Sequence, residues 1–344
     1  MARRPTRAEV RRQFETLADQ YEKQLLDAFI EAVTDIANRA EIGRMVERLE
    51  RGDIQGALDA VHLDPAAFRT LEEAFRAAYG AGGVAAVSGM PALRDPNGGR
   101  LVVRFDMRAP RVERYLREHS SSLVTRIIDE QRESIRLVLQ RGMMEGANPK
   151  RTALNIVGRV QRGSNRRTGG ILGLSGPQAR AVENARSGLL SGDPDAMRAY
   201  LGLTRRDKRF DRTVAKAIRE GKGLDRDTVA RITGRYSDRL LALRGETIAR
   251  TETLGALARS KDEAFRQLVD TGAVQAQQVK KRWVATKDNR TRDSHAAIDG
   301  DMVALDQPFS NGLLYPHAPG APAEEVVNCR CTYEHVVDYL AGIE

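Results

Sequence analysis

A chain of 344 residues can bury a substantial core in one large domain or in two to three ordinary ones. With 5% aromatic and 30% charged residues, it is better suited to helices packed through aliphatic side chains than to a sandwich or barrel. The net charge of +9 is uneven: residues 141–250 hold 24 Lys/Arg against 11 Asp/Glu, an excess of 13, so the rest of the chain is net negative by 4, a pattern suited to work beside a polyanion. Two cysteines exclude a disulfide framework, no apolar run reaches membrane-span length and no leader-like h-region follows Met1, so a soluble, unsecreted protein of a reducing compartment is expected.

The first element is a helix of about eight turns. Val10, Phe14, Leu17, Tyr21, Leu25, Phe29, Val33 and Ile36 recur every three or four residues and lay one apolar stripe along it. Two shorter helices follow. Asp64-Pro65 opens the second, the aspartate capping and the proline occupying the first turn, with Phe68, Leu71, Phe75 and Tyr79 as its buried side. From Gly80 to Gly99 glycines and the Asp95-Pro96-Asn97-Gly98-Gly99 turn predict a loop, and the alternation from Leu101 to Met107 predicts a strand.

Helix resumes at Arg111 and is expected to break near Ser120 to Ser122 before ending at Gly146; Asn148-Pro149 opens the next. The Gly/Arg-rich stretch from Gln161 to Gly176 should be exposed. Ser175 and Gln178 have capping-box spacing, Asp193-Pro194 starts another helix, and Asp225 caps one lined by Val229, Ile232, Tyr236, Leu240 and Leu243. A separate helix from about Glu246 to Val269 should follow. Beyond Gly272 the reading is a strand from Lys280 to Thr286, a short helix holding His295, a strand from Met302 to Leu305, a loop from Asn311 to Pro322, and a last strand from Cys329 to His335.

The expected fold is therefore mainly α: an elongated helical body with a short β-hairpin insertion and a small C-terminal α+β module. Its segments are residues 1–80, 81–108, 109–272 and 273–344. In the basic body Arg162, Arg166, Arg167, Arg205, Arg206, Lys208 and Arg209 are the candidate contacts to a DNA backbone. Aromatic interleaving is sparse there, so such contact should be to phosphate and blind to sequence. Solvated helix faces are the plainer account of the same charge.

The C-terminal module carries the chemistry. Cys329 and Cys331, placed on a strand, would point to one face and could meet one ion together with His295, and His317 or an aspartate could complete a four-ligand structural zinc site. Alternatively the cysteines are small buried hydrophobes and His295 bonds a loop carbonyl. Asp288, Arg292 and His295 with a metal could serve phosphodiester hydrolysis, but no acidic metal cluster accompanies them, and a cysteine nucleophile would lack an oxyanion site. A non-enzyme is expected, with a metal-dependent nuclease or a zinc-stapled DNA-binding module as the alternative.

In order, Arg250 and Glu252 on a helix, Trp283 on a strand, Asp288, Arg292, His295, Gly300, Pro316 in a loop, and Asn328-Cys329-Arg330-Cys331 resemble the C-terminal region of phage minor head proteins of the Mu F-like, or SPP1 gp7-like, head morphogenesis family. The pattern spans about residues 244–333, and the stretch from Arg205 to Asp211 resembles the body of such proteins; the first 110 residues match nothing. The resemblance implies a minor head protein of a tailed phage or prophage, sited in the virion near the portal vertex and in the host cytoplasm during assembly. It further implies portal protein, other head proteins and non-specific double-stranded DNA as partners, and no membrane. Some members continue into a toxin or enzyme domain; thirteen residues follow Cys331, so none is expected here.

Overall fold

The computed structural model describes residues 6–338 and 341, except 89, 91, 92, 95–99, 102, 162, 165 and 287. The expected turn at residues 95–99 and the side chain of Arg162 lie outside that set. Twelve α-helices dominate, with two two-stranded hairpins and one three-stranded antiparallel sheet among the described residues. The fold is mainly α with a small β module.

Close contacts divide the chain into two interleaved units. One comprises Met1–Leu26, Leu71–Ser120 and Thr247–Glu344; the other comprises Asp27–Thr70 and Ser121–Glu246. The boundaries fall inside helices, because α1 (Arg7–Arg39), α5 (Pro110–Met144) and α10 (Arg226–Asp270) each contribute residues to both. Two expected helix breaks are absent. α5 runs through Ser120 to Ser122, and α10 runs unbroken through Glu246 for 45 residues in all, with Asp225 at its start accepting the N–H groups of Asp227 and Thr228.

In the first unit, α4 (Arg69–Ser88) continues the 3-10 turn Pro65–Phe68, which Asp64 caps at Ala66 N. Gly80, Gly82 and Gly83, among the glycines that suggested a loop, lie inside α4. A Cβ on Gly82 would run into Ser260 Oγ and stand 3.0 Å from Leu257 Cα, and one on Gly83 would strike the Phe105 ring. They are small because α10 and Phe105 pass over them, not because the backbone turns. The hairpin of β1 (Leu93–Arg94) and β2 (Arg100–Leu101) is shorter than read, since residues 103–106 are irregular. Phe75 stacks on His119 at 4.5 Å between centroids, and His119 Nε2 meets the buried carboxylate of Glu252 at 2.7 Å.

The same unit holds the C-terminal sheet, ordered β6–β5–β7 with every pairing antiparallel. β5 (Val279–Val284) is central and carries Trp283, β6 is Met302–Ala304, and β7 is Thr332–Val337. Buried polar groups tie the sheet and its loops to α10. Lys261 Nζ donates to Tyr333 O at 2.7 Å, Tyr333 Oη donates to Ala258 O at 2.9 Å, and Arg259 reaches Tyr315 Oη at 3.0 Å. Lys281, wholly buried, donates to Leu314 O at 2.8 Å. Each of these three cationic side chains thus has an oxygen acceptor inside, as burial demands.

The second unit holds α2 (Ile42–Glu50), α3 (Ile54–Asp59), α6 (Pro149–Val157), α7 (Gly176–Ser191), α8 (Pro194–Gly202) and α9 (Asp211–Glu220). The expected caps form: Asn148 accepts Arg151 N, Gln178 accepts Ser175 N, and Asp193 accepts Asp195 N. The hairpin of β3 (Arg159–Val160) and β4 (Arg167–Thr168) is exposed around its tip, but Ile171, Leu172 and Leu174 are buried, against the expectation of an exposed stretch to Gly176. Gln131 explains it. Its amide donates to Leu174 O and accepts Gly173 N, both at 2.7 Å, while Arg244 Nη1 donates to Gly173 O at 2.9 Å. A loop whose backbone groups are matched this way can go inside.

Candidate functional site

The module builds its central cluster from three loops. After β5, Asp288 Oδ1 accepts Arg290 N at 3.0 Å and Thr291 Oγ1 at 3.1 Å, closing a turn that starts α11 (Asp293–Ala297) and points His295 inward. Arg292 Nη2 then clamps Val327 O at 2.7 Å. Gly300, at φ +94, donates its N–H to Trp283 O, and Trp283 N in turn donates to Asp301 O, so the chain returns along β5. The loop from Asn311 through Pro316 brings His317, at φ +65, to Cys329 O at 3.0 Å.

The two cysteines precede β7 instead of lying in it, so the expected strand alternation is not what aligns them. Asn328 adopts φ +58 and its Oδ1 accepts Arg250 Nη1 at 3.2 Å; the turn that results lets Cys331 N donate to Cys329 Sγ at 3.4 Å. Both sulfurs then face one nitrogen, His295 Nδ1, at 3.5 Å each. On the far side of the ring, Nε2 meets Glu325 Oε2 of α12 (Ala323–Val326) at 2.6 Å. Donor atoms of His295, Cys329 and Cys331 all lie within 4.8 Å of one another, and no fourth His, Cys, Asp or Glu joins them among the described residues. Trp283 closes the cluster, edge-on to His295 at 5.1 Å and to Phe309 at 5.2 Å.

All three residues are at most 3% exposed, which speaks against a nucleophilic thiol that must reach substrate. The neighbouring Cys329 thiol and the imidazole hold Cys331 below the usual thiol value, while Cys331 itself and burial push Cys329 up. Burial opposes charge on His295, but Cys331 and Glu325 outweigh it and raise its pKa. Burial takes His317 the other way, to about 4.

Other residues singled out in the module and on α10 make local contacts. Asp288 and Arg292 spend their polar atoms on turns, Arg250 also faces Glu22 at 3.4 Å, and Glu252 holds His119. Arg330 is exposed beside a cleft of about 270 Å³ lined also by Arg11, Glu22 and Thr286.

The basic candidates part company. Arg206 chelates Asp211 at 2.9 Å through both Nε and Nη2, Arg209 pairs with Asp207 at 2.6 Å, and Arg167 donates to Gly158 O, so three of the seven cations have internal partners. Arg166, Arg205 and Lys208 are exposed. Sequence reading missed Arg159, Arg231 and Arg235, which with Arg209 line a groove of about 700 Å³ beside Gly169 and Gly234. The i, i+4 spacing of Arg231 and Arg235 on α10 was the available signal.

Fold and site together define a helical protein ending in a small, polar-cored α+β module with a thiol–thiol–imidazole cluster. Residues 208–334 match the model of the family described as Phage Mu protein F like protein, and in that region the chain is similar to Mu F-like proteins. It is 34% identical over 99 residues to NAD(+)--arginine ADP-ribosyltransferase EFV of Enterococcus faecalis (strain ATCC 700802 / V583), covering 27% of this chain and 19% of that protein. It is 32% identical over 102 residues to the protein YqbB of Bacillus subtilis (strain 168), covering 28% and 31%. The chain thus spans between a fifth and a third of the curated relatives it matches. No solved structure matches it significantly.

Proposed function

We propose that the protein is a minor head protein of a tailed phage or prophage, associated with the portal and acting in head morphogenesis and in DNA packaging or ejection. The Mu F-like match over residues 208–334 carries this reading. Portal and other head proteins are its partners and the virion head is its place. No described helix is long and apolar enough to cross a membrane, in keeping with that location. Mass spectrometry of purified particles tests it. The protein should co-purify with portal protein in heads, and infectious particles wholly lacking it would overturn the assignment.

Contact with DNA, in this reading, is made by backbone phosphate at the groove of Arg159, Arg209, Arg231 and Arg235 and by the exposed Arg166, Arg205 and Lys208. Each phosphate contact should steepen the log–log salt dependence by roughly 0.9 on any sequence. Arg231→Glu with Arg235→Glu should weaken binding equally on unrelated duplexes; affinity that ignores salt would refute it. Transferase activity belongs to the Enterococcus protein, of which this chain covers 19%, and the module's buried thiols suit architecture over turnover. Nicking of plasmid by purified protein, abolished by chelation and by His295→Ala, would favour the nuclease alternative instead.

A further inference from the structure

We propose that His295 Nδ1, Cys329 Sγ and Cys331 Sγ bind one zinc ion, with a water molecule as fourth ligand, and that this ion staples the C-terminal module. The three donors come from two parts of the module far apart in sequence, the start of α11 and the turn before β7. A tetrahedral zinc with bonds of about 2.3 Å to sulfur and about 2.0 Å to nitrogen sets sulfur and nitrogen about 3.5 Å apart. Both sulfurs stand at 3.5 Å from Nδ1.

With the ring neutral, hydrogen bonding alone does not account for this arrangement. Glu325 accepts at Nε2, so in the neutral ring the proton sits there and Nδ1 offers a single lone pair. One thiol proton would satisfy that lone pair, yet two sulfurs converge on it equally. A metal ion accepts all three donors at once.

The surroundings of the three donors have the form that metal ligands have elsewhere. A ligating histidine passes its other N–H to a carboxylate, which orients the ring and raises its basicity; Glu325 supplies that carboxylate at 2.6 Å. Cys329 Sγ also receives the backbone N–H of Cys331. Two thiolates and an imidazole are the donor set that favours zinc over magnesium or calcium. An ion there would add a further link between α11 and the turn into β7, beside the Arg292 clamp on Val327 O and the packing around Trp283 and Phe309.

Elemental analysis of the full-length protein, purified under reducing conditions, is the first measurement. About one equivalent of zinc per chain is expected. Exchange for cobalt(II) should give thiolate-to-cobalt charge-transfer absorption with tetrahedral d–d bands. Cys329→Ser and Cys331→Ser should each remove the ion. Glu325→Gln, changed only at a partly exposed carboxylate, should keep the fold and lower zinc affinity about 10- to 100-fold. If the cysteine variants fail to fold, the zinc content and cobalt spectrum of the wild type still decide. Folded wild-type protein that retains less than a tenth of an equivalent after incubation with excess zinc and desalting would overturn the site, as would a cobalt form with no thiolate band. Neither result bears on head assembly.

Discussion

Replacing Gly82 by alanine sets two effects of opposite sign against each other. In a helix interior alanine is favoured over glycine by about 0.8–1.0 kcal/mol, and Gly82 lies well inside α4. Its added methyl, however, would meet Ser260 Oγ and come within 3.0 Å of Leu257 Cα and Cδ2. Neither neighbour yields readily. Ser260 is fully buried with its hydroxyl donated to Leu257 O at 3.2 Å, and Leu257 Cα is backbone of the 45-residue α10. Overpacking costs about 1–3 kcal/mol, and with Ser260 Oγ far inside van der Waals contact of the new carbon the cost lies in the upper half of that range, so a net loss of about 1–2 kcal/mol is expected after the propensity gain is subtracted. Urea unfolding followed by far-UV circular dichroism reads it as a lower midpoint. Gly43→Ala in α2, where nothing stands within 4 Å of the new carbon, is the control and should raise the midpoint. A Gly82→Ala protein as stable as the wild type would refute the close-approach argument.

Gln131→Leu keeps the volume but strips partners from Gly173 N and Leu174 O; at about 1–3 kcal/mol for each buried group left unmatched, it should be among the more damaging single changes in its unit, and a loss under about 0.5 kcal/mol, no more than an ordinary surface substitution, would show that the buried loop holds without it. Asp207 is held down to about 2 by Arg209, whose backbone and guanidinium both donate to it, with Arg239 adding to the effect. A carboxylate with a lowered folded pKa contributes stability that is present above its ordinary value near 4 and lost as the pH falls towards 2. Asp207→Asn should therefore flatten the acid limb of the stability curve in that window, and an unchanged limb would contradict the pairing. Lys281 titrates the other way: burial takes it down to about 8, although Asp262 and Asp306 oppose the shift and Arg266 reinforces it. Between about 8 and its ordinary value near 10.4 the unfolded chain binds the extra proton, so this group makes stability rise with pH there. Thermal scans at pH 8 and pH 9.5 should show a smaller rise for Lys281→Met than for the wild type.

Much of the local structure was legible because its causes lie within a few residues of its effects. Asp64-Pro65, Asn148-Pro149, Asp193-Pro194 and Ser175 with Gln178 mark helix starts, since an oxygen acceptor and an unbonded N–H a few positions on suffice. The stripe of α1 and the order of short elements after Gly272 followed from periodicity in the same way. The glycines of α4 misled, since glycine permits a turn and a close helix contact alike and only the passage of Leu257 and Ser260 decides between them.

The composition of the candidate centre was also in the sequence: two thiols and a histidine with few competitors in the chain. Their meeting was not. The expected strand does not hold the cysteines; the left-handed Asn328, clamped by Arg250 from α10, turns them to His295, and Glu325, which no motif marked, orients the ring. Likewise Gln131 and Arg244 bury a loop that composition alone places in water. Sequence by itself determined which residues start helices and which side chains could do chemistry, because those properties act over a turn of backbone. Tertiary structure alone decided which of them touch, because burial and convergence depend on partners tens to more than a hundred residues away.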